Sequence, residues 1–450
     1  MMRLSEAAAL LKVEFNGADA EVLRVSTDSR NTQPGDLFIA LRGAKFDGGV
    51  YAAQALQQGA VGVVLDALQA PEVLHAIRVD DTRIALGQLA AAWRDGFAIP
   101  VVAITGSNGK TTVKEMLAAI LRVAAGADDA VLATEGNFNN DIGLPLMLLR
   151  LRDTHRYAVL EMGMNHPGEI DYLTRIARPD VALINNAQAA HVGMLGSVAE
   201  IARAKSEIFN GLGEQGTAIV NADDGHVGMW REANVGRSVM SFGLNQDANV
   251  RGEFKATEYG SALTVITAAE RIEVALQVPG THNVRNALAA CAAALALHIA
   301  PLQISAGLSG FTGVKGRLQK KRGVHGSTFI DDTYNANPDS VLAALKVLGL
   351  HAGKKILVLG DMGELGDEAA ALHAQMGLAA RLAGVEKLFG LGDMTRETVG
   401  AFGQGGMHFE RIQELLADLE NELSADTTVL VKGSRFMHME RVVQSFMEAH

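Results

Sequence analysis

The 450-residue chain has very little cysteine, no block of basic residues and no apolar run long enough to span a bilayer. Its one cysteine, Cys291, excludes an intrachain disulfide framework and makes a reducing cytosol the simplest compartment. A formal net charge of -11 without a basic patch gives no electrostatic footprint for nucleic acid. We therefore expect small-molecule partners, a cytoplasmic location and no nucleic-acid partner.

Membrane insertion has equally little support in the sequence. The most apolar run, residues 287–300, is too short and too rich in alanine for a bilayer span, so we predict a buried helix there. The first residues, MMRLSEAAALLKVEF, contain an acid and lack the long apolar centre of a signal peptide. We expect no stable membrane insertion, and a monomer is our working expectation for the oligomeric state.

Glycine and hydrophobic residues are plentiful, and both favour an α/β protein with a large core: there are 48 glycines, and 48% of residues are hydrophobic. The length and the alternation of predicted strands and helices indicate three domains. We predict a small N-terminal α/β domain (1–96), a central P-loop domain with a doubly wound parallel sheet (97–316) and a C-terminal Rossmann-like α/β domain (317–450). Short alternating segments between residues 240 and 280 predict an antiparallel patch.

The most informative stretch is residues 99–116, IPVVAITGSNGKTTVKEM. The β-branched run 101–104 predicts a buried parallel strand, and Lys110 begins a predicted helix. A loop of small residues lies between them. Because backbone N–H groups converge at such a loop and the helix dipole favours negative charge, this pattern predicts a phosphate site. Lysine can place a cation on the outer phosphates, and a threonine hydroxyl can ligate Mg²⁺.

The match to the usual phosphate-loop pattern is incomplete, since Ile104 stands where G-x-x-x-x-G-K-[ST] has its first glycine. What remains is the shortened pattern T-G-x-x-G-K-T-T. An ordinary strand-to-helix turn is the alternative interpretation. The predicted strand before the loop and the predicted helix after it supply the context that a phosphate loop requires.

Polar residues near other predicted strand ends are candidates for coordinating a metal or binding a small molecule. A nucleoside triphosphate needs Mg²⁺, which prefers oxygen ligands, so Thr111 and Glu161 are candidates. His191 and Lys205 are weaker candidates on residue type alone, because imidazole is not a typical Mg²⁺ ligand and a helical lysine is usually solvated. The clusters at 26–30 and 42–48 also follow predicted strands, although turn chemistry would explain them.

Many short motifs occur in a fixed order along the chain: the phosphate loop, TEGNFNNDIGLP, EMGMNHPGEI, NNAQAAHVGMLGS, AKSEIF, PGTHNVRNALAA, GRLQ, DDTYNANPDS and GDMGELG. This series resembles the Mur ligases of peptidoglycan synthesis. The resemblance covers nearly the whole chain, from TDSR and GDLFIALRG at the front to VLVKGSR at the back. Within the family, DDTYNANPDS and GDMGELG are similar to the members that add D-alanyl-D-alanine to UDP-N-acetylmuramoyl-tripeptide.

The resemblance implies an ATP-dependent amide ligase. Its first domain would hold the UDP-sugar, its central domain ATP, and its last domain the incoming dipeptide. ATP would phosphorylate the terminal carboxylate of the tripeptide, and the amine of D-alanyl-D-alanine would attack the acyl phosphate. This chemistry agrees with a phosphate loop, because metal and lysine offset the charge that builds up as two anions approach.

The resemblance also assigns roles to individual positions of this sequence. The residues that would bind ATP are Gly106, Ser107, Asn108, Gly109, Lys110, Thr111, Thr112, Asn283, Arg317 and Asp332. The residues that would hold Mg²⁺ are Thr111, Glu161, His191 and Lys205; Lys205 falls where the family has a carbamoylated lysine, and Lys110, His191 and Lys205 would be catalytic. The residues that would contact the substrates are Thr27, Ser29, Ala44, Lys45 and Phe46 for UDP, Asn137, Asn139 and Asn140 for the sugar-peptide, and Asn335, Asp361, Lys432 and Ser434 for the dipeptide.

Two other functions stay open at this point. One is an ATP-dependent amide ligase of the same superfamily with a different amino component, such as a folate polyglutamylating enzyme. The other is a nucleotide-driven switch or motor, which would turn over ATP without an acceptor. Polar strand ends in all three predicted domains argue against a switch, which has no need of two further small-molecule sites. Structural roles are the alternative for Asp332 and Asp361, as helix caps, and for Arg317, as a salt bridge.

Overall fold

The computed structural model describes residues 1–43, 46–67, 73, 75–188, 197–245, 247–257 and 259–447. Within these residues three main β-sheets follow one another along the chain, with four, nine and six strands. Most neighbouring strands in them run parallel, and helices connect them, so the predicted α/β fold class is confirmed.

The first sheet is parallel and has the strand order β3-β4-β7-β8. Its central strand β4 is buried along its whole length, and the buried Asp36 carboxylate at its start accepts two hydrogen bonds from Arg24 on β3. The strands of this region are β1 Met2–Arg3, β2 Glu21–Val22, β3 Arg24–Ser26, β4 Asp36–Ile39, β5 Arg42–Gly43, β6 Phe46–Asp47, β7 Gly62–Asp66 and β8 Ala76–Val79, and its α-helices are Leu4–Leu10, Ala52–Gln57 and Thr82–Asp95.

The second sheet has the strand order β10-β11-β9-β12-β13-β14-β15-β16-β17. Every residue of β9 is buried, as expected for a central parallel strand covered by helices on both faces. Its strands are β9 Val101–Thr105, β10 Val131–Ala133, β11 Tyr157–Glu161, β12 Val181–Ile184, β13 Thr217–Asn221, β14 Ser238–Gly243, β15 Val250–Ala256, β16 Ser261–Ile266 and β17 Arg271–Leu276. Strands β15, β16 and β17 pair antiparallel, which confirms the antiparallel patch and shows that it extends the parallel sheet.

Three helices pack together against one face of this sheet: Lys110–Ala125, Thr281–Ala296 and Pro301–Ser309. All residues of 287–294, in the helix Thr281–Ala296, are buried, as the alanine-rich run predicts. Gly307 lies so near the phosphate-loop helix that an added Cβ would come within 2.4 Å of Ile120 Cα. The α-helices of this region are Lys110–Ala125, Gly143–Leu148, Glu169–Ala177, Val198–Ser206, Val227–Glu232, Thr281–Ala296 and Pro301–Ser309. No helix in the described part of the chain has the length and hydropathy needed to cross a membrane.

The third sheet has the strand order β18-β19-β23-β20-β21-β22 and is parallel except for its edge strand β18. Its strands are β18 Gln319–Arg322, β19 Thr328–Asp332, β20 Lys354–Gly360, β21 Lys387–Leu391, β22 Gly406–Phe409 and β23 Thr427–Lys432, and its α-helices are Pro338–Gly349, Ala369–Leu382, Thr395–Phe402, Ile412–Glu420 and Glu440–Ser445. Sequence patterns miss β18 because its four residues are polar, which an edge strand tolerates.

Several element ends differ from the predicted ones. Strand β4 ends at Ile39 rather than at residue 41, because the chain turns there and the Leu41 N–H bonds back to the Ile39 carbonyl. Strand β11 ends at Glu161 rather than at residue 164, since the Gly163 N–H bonds to the Asn139 carbonyl instead of a neighbouring strand. The helix predicted over 197–212 ends at residue 206 and continues as a 3₁₀-helix over 207–211.

Candidate active site

A cleft of about 1910 Å³ lies between the carboxyl ends of the central strands and those of the third sheet. This is where open α/β sheets bind ligands. Most of the residues predicted from the sequence line it: Ser107, Asn108, Gly109, Lys110, Thr111, Thr112, Asn137, Asn139, Asn140, Glu161, Lys205, Asn283, Arg317, Asp332, Asn335, Lys432 and Ser434.

The phosphate loop joins the end of β9 to the helix that begins at Lys110. Gly109 precedes this helix with a φ of 79°, and an added Cβ would come within 2.4 Å of Asn286 Oδ1, so both its conformation and its surroundings require glycine. The Asn108 N–H donates to Asn186 Oδ1, and the Asn108 carbonyl accepts from the Asn185 side chain. Strand ends of the central sheet thus hold the loop in place without any ligand.

Lys110 folds back over the phosphate loop. Its ammonium donates to the Gly106 carbonyl at 2.7 Å. Burial lowers the pKa of Lys110, Glu161 opposes this effect, and Arg317 reinforces it. A half-buried cation beside a helix N-terminus favours a bound anion.

Thr111 is the centre of a chain of hydrogen bonds that links the two sides of the cleft. Its hydroxyl donates to Glu161 Oε2 at 2.7 Å and accepts a hydrogen bond from Arg317 Nη2 at 2.9 Å. The other Glu161 oxygen accepts from Asn139 Nδ2 at 2.8 Å. A hydroxyl and a carboxylate oxygen this close together, beside a phosphate loop, are donors that suit Mg²⁺. The described residues contain no group of three or more His, Cys, Asp or Glu side chains that could hold a metal by themselves.

Lys205 lies on the helix Val198–Ser206 and is only 2% exposed. Burial, reinforced by the charge of Lys110, lowers the pKa of Lys205 well below its ordinary value. A lysine in this position favours the neutral amine. This is the form that the expected carbamoylation needs, because an ammonium cannot react with CO₂.

Asn283, expected at adenine, is a buried residue of the cleft wall. Its amide nitrogen donates to the Pro279 carbonyl, and its amide oxygen accepts from Asn286 Nδ2. Asn286 in turn accepts from Asn185. These bonds fix the start of the alanine-rich helix against the phosphate loop.

The loop between β10 and β11 carries the three asparagines expected at the sugar-peptide. Asn139 bonds to Glu161, as described above, and Asn137 is exposed. Asn140 accepts from the Gly143 N–H at 2.8 Å, next to the start of the helix Gly143–Leu148. Arg83 of the first region reaches this loop, where its Nε lies 2.7 Å from Asp141 Oδ2.

The third sheet contributes a buried ion pair to the opposite wall. Lys432, at the end of β23, donates to Asp332 Oδ2 at 2.6 Å and to the Asn335 carbonyl at 2.8 Å. Burial raises the pKa of Asp332, whereas the charge of Lys432 acts in the opposite direction. The Asn335 side chain is exposed to the cleft, and the Asn335 Oδ1 accepts from the Ala336 N–H.

Ser434 and Asp361 lie close together, but only Ser434 lines the cleft. The Ser434 N–H donates to the Asp361 carbonyl, and the Ser434 hydroxyl accepts from the Gly363 N–H at 2.8 Å. The Asp361 carboxylate instead accepts from the Thr395 N–H at the start of a helix. This contact resembles the capping role that was the structural alternative for Asp361; a role at the dipeptide stays a prediction.

Two contacts cross the cleft directly. Arg317 stacks on Tyr334, with its guanidinium carbon 4.2 Å from the ring centroid, and donates to Thr111. Asn337 Nδ2 donates to Asn108 Oδ1 in the phosphate loop at 2.9 Å. The Arg317 Nε is buried and has no hydrogen-bond partner among the described residues. An unpaired buried donor is costly, so this atom marks a place where an anion would fit.

The residues expected at UDP do not meet the others in this cleft. Thr27 and Ser29 follow strand β3, where Asp28 accepts from the Arg30 N–H and caps a 3₁₀-helix. Phe46 is 54% exposed on the short strand β6. An exposed aromatic ring near a strand end suits a stacked ligand, so these positions stay predictions. Ala44, Lys45 and His191 lie outside the described residues.

Two further residues shape the cleft and were not singled out from the sequence. Asn337 lies within the DDTYNANPDS motif, and its side chain both caps a helix and reaches the phosphate loop. His373 is fully buried behind the GDMGELG loop. Motif membership could have pointed to Asn337, whereas His373 belongs to none of the quoted motifs and its role depends on tertiary contacts.

Family models and relatives match almost the whole chain. The Mur ligase family, catalytic domain, model matches residues 21–94, the Mur ligase middle domain model 104–294, and the Mur ligase, glutamate ligase domain, model 316–435. A Haemophilus influenzae relative named UDP-N-acetylmuramoyl-tripeptide--D-alanyl-D-alanine ligase is 40% identical, over 100% of this chain and 99% of its own. The chain belongs to the Mur ligase family.

Solved structures of Mur ligases have the same fold. A crystal structure of MurF from Acinetobacter baumannii is 38% identical with a TM-score of 0.90, covering 98% of this chain and 97% of its own. The MurF ligase from Thermotoga maritima in complex with ADP is 25% identical with a TM-score of 0.81, covering 94% and 96%. These likenesses extend over all three sheets of this Mur ligase.

Proposed function

We propose that this protein is an ATP-dependent ligase that joins D-alanyl-D-alanine to the terminal carboxylate of UDP-N-acetylmuramoyl-tripeptide. The products are UDP-N-acetylmuramoyl-pentapeptide, ADP and phosphate, and the reaction belongs to peptidoglycan precursor synthesis. The observation that carries the proposal is the cleft itself, in which a phosphate loop faces the Lys432–Asp332 pair of a second sheet. The name of the full-length relative and the ADP-bound neighbour support it. The single cysteine and the use of ATP favour the cytoplasm.

The nucleotide is proposed to bind with its phosphates on residues 106–112 and its adenine near Asn283. Lys110 would contact the outer phosphates, and the unpaired Arg317 Nε would donate to the same anion. The oxygens of Thr111 and Glu161 would hold Mg²⁺, with His191 and Lys205 near a second ion, and the metal supplies positive charge that stabilises the transferring phosphoryl group. These residues replace the water that would otherwise solvate the two reacting anions.

The reaction needs two steps at one carboxylate. An oxygen of the tripeptide carboxylate attacks the γ-phosphorus, the bond from that phosphorus to the ADP oxygen breaks, and an acyl phosphate forms. The dipeptide ammonium then loses one proton to solvent, and its nitrogen attacks the carbonyl carbon. The carbon–oxygen bond to phosphate breaks, and the leaving phosphate takes up the second proton that the nitrogen loses as the amide forms. Lys110 and Arg317 hold the phosphoryl group in place, while the opposite wall orients the amine.

Substrate binding is assigned to the remaining cleft residues. Asn137, Asn139 and Asn140 would lie along the sugar-peptide, and Asn335, Lys432 and Ser434, with Asp361 behind them, would serve the dipeptide. Thr27, Ser29 and residues 44–46 would hold UDP. The Arg83–Asp141 contact supports this assignment, because it joins the first region to the loop that carries the three asparagines.

A coupled phosphate-release assay with ATP and UDP-N-acetylmuramoyl-tripeptide tests the proposal. We expect release that depends on D-alanyl-D-alanine and a pentapeptide product detected by mass spectrometry. Equal release without any acceptor would support the nucleotide-driven switch. Release with glutamate and a folate, but not with the dipeptide, would support the folate-type ligase.

A further inference from the structure

The loop after β20, residues 361–365, forms part of the third-sheet wall of the cleft. Gly363, Glu364 and Leu365 line the cleft directly. Glu364 has a φ of 64°, which is uncommon for a residue with a side chain. A non-glycine residue keeps such a conformation only when its surroundings determine it, so contacts with other elements must fix the shape of this loop.

Two consecutive backbone N–H groups of this loop are bound by side chains from other elements. The Gly363 N–H donates to Ser434 Oγ at 2.8 Å. The Met362 N–H donates to His373 Nε2 at 3.0 Å. Both partners are buried, with His373 at 0% and Ser434 at 4% exposure. Two buried side chains, from different elements, therefore hold the loop through its backbone N–H groups.

His373 can accept this bond in only one form. Its Nε2 must carry no proton, because the Met362 N–H is the donor. The other ring nitrogen, Nδ1, lies 2.7 Å from the Ala369 carbonyl and must therefore donate its proton to that oxygen. Both ring nitrogens are thus used, and the imidazole is the neutral Nδ1–H tautomer. The ring bridges the first turn of the helix Ala369–Leu382 and the cleft loop.

We propose that His373 is a positioning residue that holds the 361–365 loop in the shape needed to bind the incoming amino component. The proposal rests on the proposed function, in which this wall binds D-alanyl-D-alanine. His373 lies behind the loop and does not line the cleft itself. Its contribution is selective, because the hydrogen bond it accepts belongs to the dipeptide wall and not to the phosphate loop.

Steady-state kinetics of three variants test this role. His373→Ala removes the acceptor, and we expect the KM for D-alanyl-D-alanine to rise about tenfold while the KM values for ATP and UDP-tripeptide stay within about twofold. His373→Gln should recover most of this loss, because its Oε1 can accept the Met362 N–H. Met376→Ala is the matched control. Met376 is fully buried on the same helix as His373 and belongs to the apolar core beside the third sheet.

The outcomes separate positioning from general stability. An unchanged KM for the dipeptide in folded His373→Ala overturns the proposal, and so does an equal rise of all three KM values in His373→Ala and Met376→Ala. Wild-type turnover with D-alanyl-D-alanine tests the proposed function independently, because it involves no variant.

Nitrogen NMR of the wild type, with the His373 signal assigned by its loss in His373→Gln, gives a readout that needs no folded alanine variant. We expect the Nδ1–H tautomer, and an Nε2–H tautomer overturns the proposal.

Discussion

The two walls of the cleft are built in different ways. The central wall is dominated by one continuous segment, residues 106–112, whose shape follows from a strand end, a glycine and a helix start. The opposite wall brings together residues far apart in the chain, such as Asp332 and Lys432, which are joined by a buried ion pair. The residues of the central motif are thus neighbours in the sequence, although side chains from another strand end help to hold them, whereas the opposite wall is assembled from elements far apart in the chain.

The two walls also differ in how the charge of a buried lysine is balanced. Lys432 donates to a carboxylate, so its charge is balanced by Asp332. Lys205 is buried near another cation, and both effects lower its pKa. The charge of Lys432 is thus offset within the opposite wall, whereas Lys205 of the central wall favours the neutral amine, so the cation that this wall offers to a polyphosphate is Lys110.

The largest expected effect comes from removing the cation of the central wall. Lys110→Ala should reduce ligation by about 10²–10³-fold, because a charge aimed at the transferring phosphoryl group is lost. The fold should stay intact, since Lys110 is half-buried and bonds only to carbonyls of its own loop in the described structure. Phosphate release and circular dichroism measure the two expectations. The exposed Lys255→Ala is the control, and a loss of less than about tenfold in Lys110→Ala would contradict the assignment.

Lys205 gives the second test of the central wall, with a chemical rescue. A neutral lysine amine adds CO₂ to give a carbamate and releases a proton, so the side chain becomes an anion that suits Mg²⁺. Lys205→Ala should therefore lower activity by about 10²-fold, and added acetate should restore part of it. The measurement is phosphate release with and without acetate.

The control for the rescue is Lys110→Ala, in which the missing group is a cation and acetate should restore nothing. Full activity of Lys205→Ala without acetate would show that no carbamate is needed. Loss without rescue, together with a wild-type mass that lacks the added CO₂ under native conditions, would favour a plain lysine that contacts phosphate.

The comparison of the walls also explains what could be predicted from the sequence. Residues 101–112 carry their strand, loop and helix signals within one stretch, so these elements were predictable from the sequence, and phosphate binding there stays a prediction. Thr111 and Glu161 were both candidates for holding Mg²⁺, and the structure places their side-chain oxygens 2.7 Å apart. The ends of β4 and β11 were predicted two to three residues too late, because turns that involve other segments stop them.

The opposite wall was harder to predict because its contacts are not local. The polar edge strand β18 has no apolar pattern to reveal it. The capping contact of Asp361 depends on Thr395, and the contact of His373 depends on a backbone N–H eleven residues away. A sequence shows the residue types in such cases, and only the folded chain shows which groups they bond.

A smaller effect is expected at the contact between the walls. Asn337 both caps the helix Pro338–Gly349 and donates to Asn108. Asn337→Ser keeps a capping hydroxyl but loses the contact with the phosphate loop, whereas Asn337→Ala loses both. We expect the KM for ATP to rise about two- to tenfold in both variants. Only Asn337→Ala should also lose about 1 kcal/mol of unfolding free energy.

Kinetics and urea denaturation of the same two proteins separate these roles. If Asn337→Ser keeps the wild-type KM for ATP while Asn337→Ala raises it, the helix cap accounts for the effect and the contact between the walls does not matter. A rise in both variants shows that the two walls are coupled through this bond.

The smallest effect is expected outside both walls, at the Asp28–Arg30 pair of the first region, which gives a baseline for exposed charges. The side chain and backbone N–H of Arg30 lower the pKa of Asp28 to about 2. Because this value lies below the pKa of an unfolded aspartate, the carboxylate stabilises the fold above about pH 4, and this contribution is lost as the pH falls toward 2.

Asp28→Asn keeps an oxygen that can accept the Arg30 N–H and removes the charge. The pair is exposed and screened, so we expect a loss of less than about 0.5 kcal/mol of unfolding free energy at pH 7. Urea denaturation at pH 7, 5, 4 and 3.5 should show this difference narrowing at the lowest values, and a difference that grows with acidity would contradict the assigned sign.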